Sequence, residues 1–201
     1  MMKPPRHSFL RATAWWRACR DDRAAQIAEF ALSLPLLVVF VVGIFDFSGA
    51  LTLKQKLTNA AREGARVAAA DPANDLSNTR ALPASVFDAF YVVDDYLKSE
   101  KINDCGLSTA LPVATPGTLT WKSTALGCPT LAPNSLTLTI NRGFVTLQSI
   151  GGTTTNVVST QVQIQYPYKW RFNSVITLLV PSSTYASISY ITTTATSFNE
   201  N

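Results

Sequence analysis

The fold turns on residues Phe30 to Phe45, which read FALSLPLLVVFVVGIF, sixteen positions without a charge. Asp46 interrupts the run, and FSGALTL carries its apolar character on to Leu53. Phe30 to Leu53 is about 36 Å of helix at roughly 1.5 Å per residue, enough for a bilayer core of about 30 Å. Pro35 breaks a soluble helix but is tolerated within a membrane span. The competing reading is the buried core helix of a soluble protein, and charge decides between them. Residues 1–24 hold six basic side chains (Lys3, Arg6, Arg11, Arg17, Arg20, Arg23) against Asp21 and Asp22, and so account for the whole net charge of +4. Positive charge on one flank of a span marks its cytoplasmic side, so the residues after Leu53 are expected outside the cytoplasm.

The same arithmetic argues against nucleic acid as a partner. Beyond residue 24 the charges balance, with no basic face from which to build a phosphate-binding surface. A single histidine, His7, sits in the basic leader. Histidine-based metal sites and Ser-His-Asp or Cys-His catalysis are therefore not expected. No GxSxG, HExxH, CxxC or glycine-rich phosphate loop occurs, so neither enzyme, cofactor nor metal is expected. Asp88, Asp94 and Asp95 have no ligand spacing and read as a solvated helix face.

Of three cysteines, Cys19 falls in the cytoplasmic leader, where a thiol stays reduced. Cys105 and Cys128 fall on the outer side. As a disulfide they close a loop worth about 3 kcal/mol on a chain-entropy estimate; two buried free thiols are the alternative.

Two acids flank the apolar run. Glu29 stands at its cytoplasmic mouth, where a carboxylate needs headgroup solvation, a partner or a task. Asp46 lies 17 residues on, about 25 Å along the helix, at the level of the outer headgroups. Interfacial solvation is the first reading for Asp46 and a subunit contact the second.

Residues Arg23 to Ala69 join three strings: AEFALSLPLL with Glu29 and Pro35, GIFDFSGAL around Asp46, and NAAREGARVAA from Asn59. Together they resemble the TadE-like minor pseudopilins of tight-adherence (Flp, type IVc) pili. The resemblance implies insertion in the inner membrane and removal of the basic leader by a prepilin-type peptidase. Carried onto this sequence, the cut falls between Ala24 and Ala25, and Glu29 becomes the fifth mature residue before Phe30. The family normally has glycine before the cut, and this chain departs from that pattern with Ala24. Other minor pilins and the pilus assembly platform are the implied partners, with adhesion and biofilm formation as the outcome. Processing also has a physical rationale. Drawing the helix outward with residues 1–24 attached drags six cations through hydrocarbon, at about 2.5–3.5 kcal/mol each.

Beyond the span, Leu57, Ala60, Ala61, Gly64, Ala65 and Ala68 recur at helical spacing as a stripe of small residues, ended by Asp71-Pro72. The stripe accommodates either the protein's own sheet or a neighbouring subunit. A second helix is expected over Ala84–Lys98. From Thr118 the period becomes two. Val162, Ile164, Tyr166, Tyr168, Trp170 and Phe172 alternate with polar residues, and Pro167 suggests an edge or a bulge. Further strands are expected near Val175–Val180 and Tyr185–Thr194.

The expected class is α+β: a transmembrane helix prolonged outward and packed on an antiparallel sheet. The expected divisions are a cytoplasmic leader (1–24), the span (25–53), its amphipathic extension (54–70) and a periplasmic head (71–201). An alternative is a secreted binding module, because Ser48-Gly49-Ala50 has the small-x-small form of a signal-peptidase site.

Overall fold

A computed structural model describes residues 22–77, 81–128, 135–150, 152–170 and 188–199. Helix α1 runs unbroken from Asp22 to Ala70, 49 residues with Pro35 inside. Hydroxyls in and beyond its apolar part bond back to the helix: Ser33 to the Phe30 carbonyl (3.1 Å), Thr52 to Ser48 (2.9 Å) and Thr58 to Lys54 (2.8 Å). Such bonds hide polar atoms where solvent is absent. Helix α2 spans Ala84–Ser99. It starts after Pro83, and the Ser85 amide donates to Asp75 Oδ2 at 3.0 Å, satisfying a donor of the first turn. At its other end Lys101 takes the left-handed conformation (φ 57°), and the Ile102 amide bonds to the Leu97 carbonyl at 2.9 Å. This is a Schellman-type stop with lysine where glycine is usual.

The sheet is an antiparallel meander of five strands in chain order: β1 (Val113–Ala114), β2 (Thr120–Ala125), β3 (Leu136–Ile150), β4 (Thr153–Lys169) and β5 (Ile188–Phe198). Two cross-strand rows form its covered face: Trp121, Ile140, Val162, Ala195, and Ser123, Leu138, Ile164, Thr193. All eight are buried, as period-two alternation requires of a half-covered sheet. Leu57, Phe90, Val93 and Leu97 from the two helices complete the core.

The stripe of small residues faces this head. Leu57, Ala60, Ala61, Gly64, Ala65 and Ala68 are all buried, against α2 as well as the sheet. A β-carbon on Gly64 would lie 2.6 Å from Val93 Cγ2 and 3.4 Å from the Ala89 carbonyl oxygen. The residue is small because α2 crosses there. The acidic face of α2 also differs from expectation. Asp88 and Asp95 are exposed, but Asp94 is buried and paired with Lys98.

β4 begins earlier than its alternation announces, because Thr153–Val158 pairs with β3 in a ribbon that reaches past the core. Pro167 lies within β4 opposite Tyr190 of β5, two residues beyond the last pairing with β3 at Gln165. A missing backbone donor is tolerated where a ladder has ended. Arg171, Phe172 and the strand expected near Val175–Val180 lie outside the described residues.

Candidate functional site

Residues Ala25 to Phe30, Glu29 among them, are exposed at the N-terminal end of α1, which also includes Ala24. Glu29 joins no ion pair among the described residues. From there to Phe45 no side chain of α1 is buried. Phe30, Leu37, Phe40 and Ile44 are each more than 60% exposed. Ala25 to Phe45 is 21 residues, about 31 Å of helix, the thickness of a bilayer core. This is the one described helix long and apolar enough to cross a membrane.

The pattern changes at Asp46. From here burial falls on one face at positions 46, 50, 57, 60, 61, 64, 65, 68 and 69, where the head covers the helix. Asp46 is only 6% exposed, and the Tyr168 hydroxyl donates to its Oδ1 at 3.0 Å. Interfacial solvation therefore does not describe it. Its carboxylate is taken up by the protein's own β4. Ser48-Gly49-Ala50 lies inside the same continuous helix, with Ala50 buried.

A cleft of about 950 Å³ opens beside this contact, between α1, the loop after α2 and the end of β4. Tyr166 ties β4 to that loop by donating to the Asn103 carbonyl at 3.1 Å. Burial pushes the Tyr166 phenol up from its ordinary value, and the nearby Asp104 adds to the shift. Lys56 on α1 pairs with Glu100 at 3.0 Å. Cys105 and Cys128 are bonded to each other behind the loop, with Cα atoms 4.4 Å apart.

Arg142 is a feature that the sequence reading missed. It is fully buried at a bulge where Arg142 and Gly143 oppose Thr160 alone. Its guanidinium donates to the Ala68 and Asp71 carbonyls, the latter at 2.9 Å, and to Thr160 Oγ1 at 3.0 Å. Burial pushes this guanidinium down from its ordinary value, and Asp75 and Asp71 pull it partly back. One signal was available: Arg142 continues the inward-facing parity of Leu136, Leu138 and Ile140.

Chemically, the arrangement offers surfaces. Among the described residues no group of three or more His, Cys, Asp or Glu is placed to hold a metal. It presents a bare apolar rod with an acid at its N-terminal mouth and a head clamped to the other half. Residues 24–66 match the family of TadE-like proteins, which takes in Glu29, Asp46 and most of the small-residue stripe. No curated protein and no solved structure matches the chain.

Proposed function

We propose, for a chain whose residues 24–66 match the TadE-like family, the role of a minor pseudopilin in the assembly of a tight-adherence pilus. The observation that carries the reading is the coincidence of the family match with an uncovered rod. The matched segment includes the stretch of α1, up to Phe45, in which no described side chain is buried, and Glu29 stands near its start. A surface of this kind packs laterally, first against lipid and then against neighbouring helices.

In this role the chain sits in the inner membrane with residues 1–24 in the cytoplasm and the head in the periplasm. A prepilin-type peptidase cuts between Ala24 and Ala25. The new amine lies four residues from Glu29, about 6 Å along the helix, so amine and carboxylate of adjacent subunits neutralise each other as helices pack. Other minor pilins and the assembly platform are the partners, adhesion and biofilm formation the result. The role is structural, and the chain catalyses no reaction.

N-terminal sequencing of the mature chain tests this. A start at Ala25 is expected. A start at Leu51 supports a secreted module instead, and a start at Met1 an unprocessed anchor. Deletion of the gene is expected to reduce or abolish surface filaments, and undiminished filaments overturn the assembly role.

A further inference from the structure

The cleft beside Asp46 sits at a particular height. Its lower wall is Val42, half-buried, and Phe45, exposed, in the last turn of the apolar rod, and its upper wall belongs to the head. Five charged side chains line it. Lys56 is neutralised by Glu100, and Asp46 is held by the Tyr168 hydroxyl. Lys101 and Lys169 are the other two. Both are exposed, and neither forms an ion pair among the described residues. Lys101 is held at the rim by the Schellman-type stop of α2 (φ 57°), a conformation that costs a non-glycine residue energy. Lys169 ends β4, and Trp170 follows it with its ring packed edge-on to Tyr168 at 5.1 Å. Tyrosine and tryptophan collect at the headgroup level of a bilayer.

The geometry points to a lipid site: the cleft takes the phosphate of an anionic phospholipid between Lys101 and Lys169, with an acyl chain laid along Val42 and Phe45. The inference rests on Ala25–Phe45 being the membrane span. Apolar walls below and a net positive charge above, three lysines against Asp46 and Glu100, match the two ends of such a lipid, and each lysine near an anionic headgroup contributes about 1 kcal/mol. A bound lipid would fill the space between rod and head on the membrane side and steady the tilt of the head over the bilayer.

The test uses the full chain in nanodiscs of equal phosphatidylcholine and phosphatidylglycerol. It is released in mild detergent, and its retained lipids are counted by native mass spectrometry. Retention of phosphatidylglycerol over phosphatidylcholine by about tenfold is expected. The double variant K101Q/K169Q is expected to lose the preference, and K122Q on β2, outside the cleft, to keep it. Equal retention of the two lipids by the native chain overturns the lipid site, as does an undiminished preference in K101Q/K169Q. Loss of the preference on adding millimolar inorganic phosphate also overturns it, by marking a general anion pocket. A chain that never enters the nanodisc overturns the membrane reading instead, and the inference with it.

Discussion

The guanidinium of Arg142 donates to the carbonyl of Ala68, so a side chain from the middle of the sheet closes the end of the long helix. The last carbonyls of any helix lack partners within it, and the partial negative charge there favours a cation. Arg142 meets both needs, and the bulge at Arg142-Gly143 turns its side chain toward the helix end. Asn199 joins the cluster by accepting from Thr160 at 2.6 Å and donating to the Arg142 carbonyl at 3.3 Å. Rod, central hairpin and last strand are thus fastened at one point.

Arg142→Met should therefore destabilise the head sharply. Apolar volume is largely kept, but the Ala68 and Asp71 carbonyls lose their donor in a dry site, at about 3 kcal/mol in total. Circular dichroism of the full chain in detergent should show the midpoint falling by about 6–12 °C. A midpoint within about 1 °C of the native chain would mean that the closure contributes little.

Gly64→Ala tests the crossing of α1 and α2. Alanine at a helical position normally gains about 1 kcal/mol over glycine. Here the added carbon meets Val93 Cγ2, a stiff β-branched side chain in the core, at 2.6 Å. Overpacking of about 1–3 kcal/mol should win and lower the midpoint. Adding Val93→Ala should return part of the loss, and two strictly additive losses would refute the clash.

Reduction of the Cys105–Cys128 bond should cost about 3 kcal/mol, given a sequence separation of 23 between the cysteines. The bond ties the loop after α2 to the segment that follows β2. Thermal melts with and without reductant measure the difference. The double variant C105S/C128S should melt like the reduced chain and ignore reductant.

Asp94 predicts a pH effect of unusual sign. Its carboxyl is raised above 3.8, first by burial; Lys98 opposes the shift without cancelling it. The buried Oδ1 has no donor, which agrees with that direction. A group whose folded pKa is raised binds its proton more tightly in the folded chain. Its contribution is therefore fully present below the unfolded value near 3.8 and is lost as pH rises through the folded value. Relative to Asp94→Asn, the native chain should gain stability as pH falls from 7 toward 4. Melts of both chains across that range give the difference, and a flat difference would refute the burial of the charge.

Legibility in the sequence followed the range of the forces. Helix α2 was readable to within a residue because Val86, Phe87, Phe90, Tyr91 and Tyr96 alternate with Asp88, Asp94 and Asp95 at helical spacing. The end of α1 was readable from Asp71-Pro72. The opening of β4 was not: Thr153 to Val158 pairs outside the core, so no buried face imposes alternation on it. Asp46 looked like an interfacial acid because its partner, Tyr168, is 122 residues away and no local pattern connects them. The stripe of small residues announced a close approach without naming its partner. That partner is α2 together with the sheet, and the choice depended on tertiary packing alone. Residues 25–45 were the reverse case. The described head buries none of their side chains, so hydropathy and charge alone carried their reading.

Glu29→Ala separates anchoring from assembly. The side chain is exposed and about 25 Å along the helix from Asp46, where the head contact begins. Its loss should leave the head's melting midpoint and the membrane fraction of the chain unchanged. Incorporation should respond differently, because a charge pair between adjacent subunits would form only where their helices pack. Losing a charged hydrogen bond of about 1.5–3 kcal/mol predicts a fall of about tenfold or more in the chain recovered with sheared surface filaments. Glu29→Gln should fall between the two, since the amide keeps an acceptor but not the charge. Native recovery of the Glu29→Ala chain would remove the acid from assembly and leave the apolar rod as the only contact surface of the membrane half.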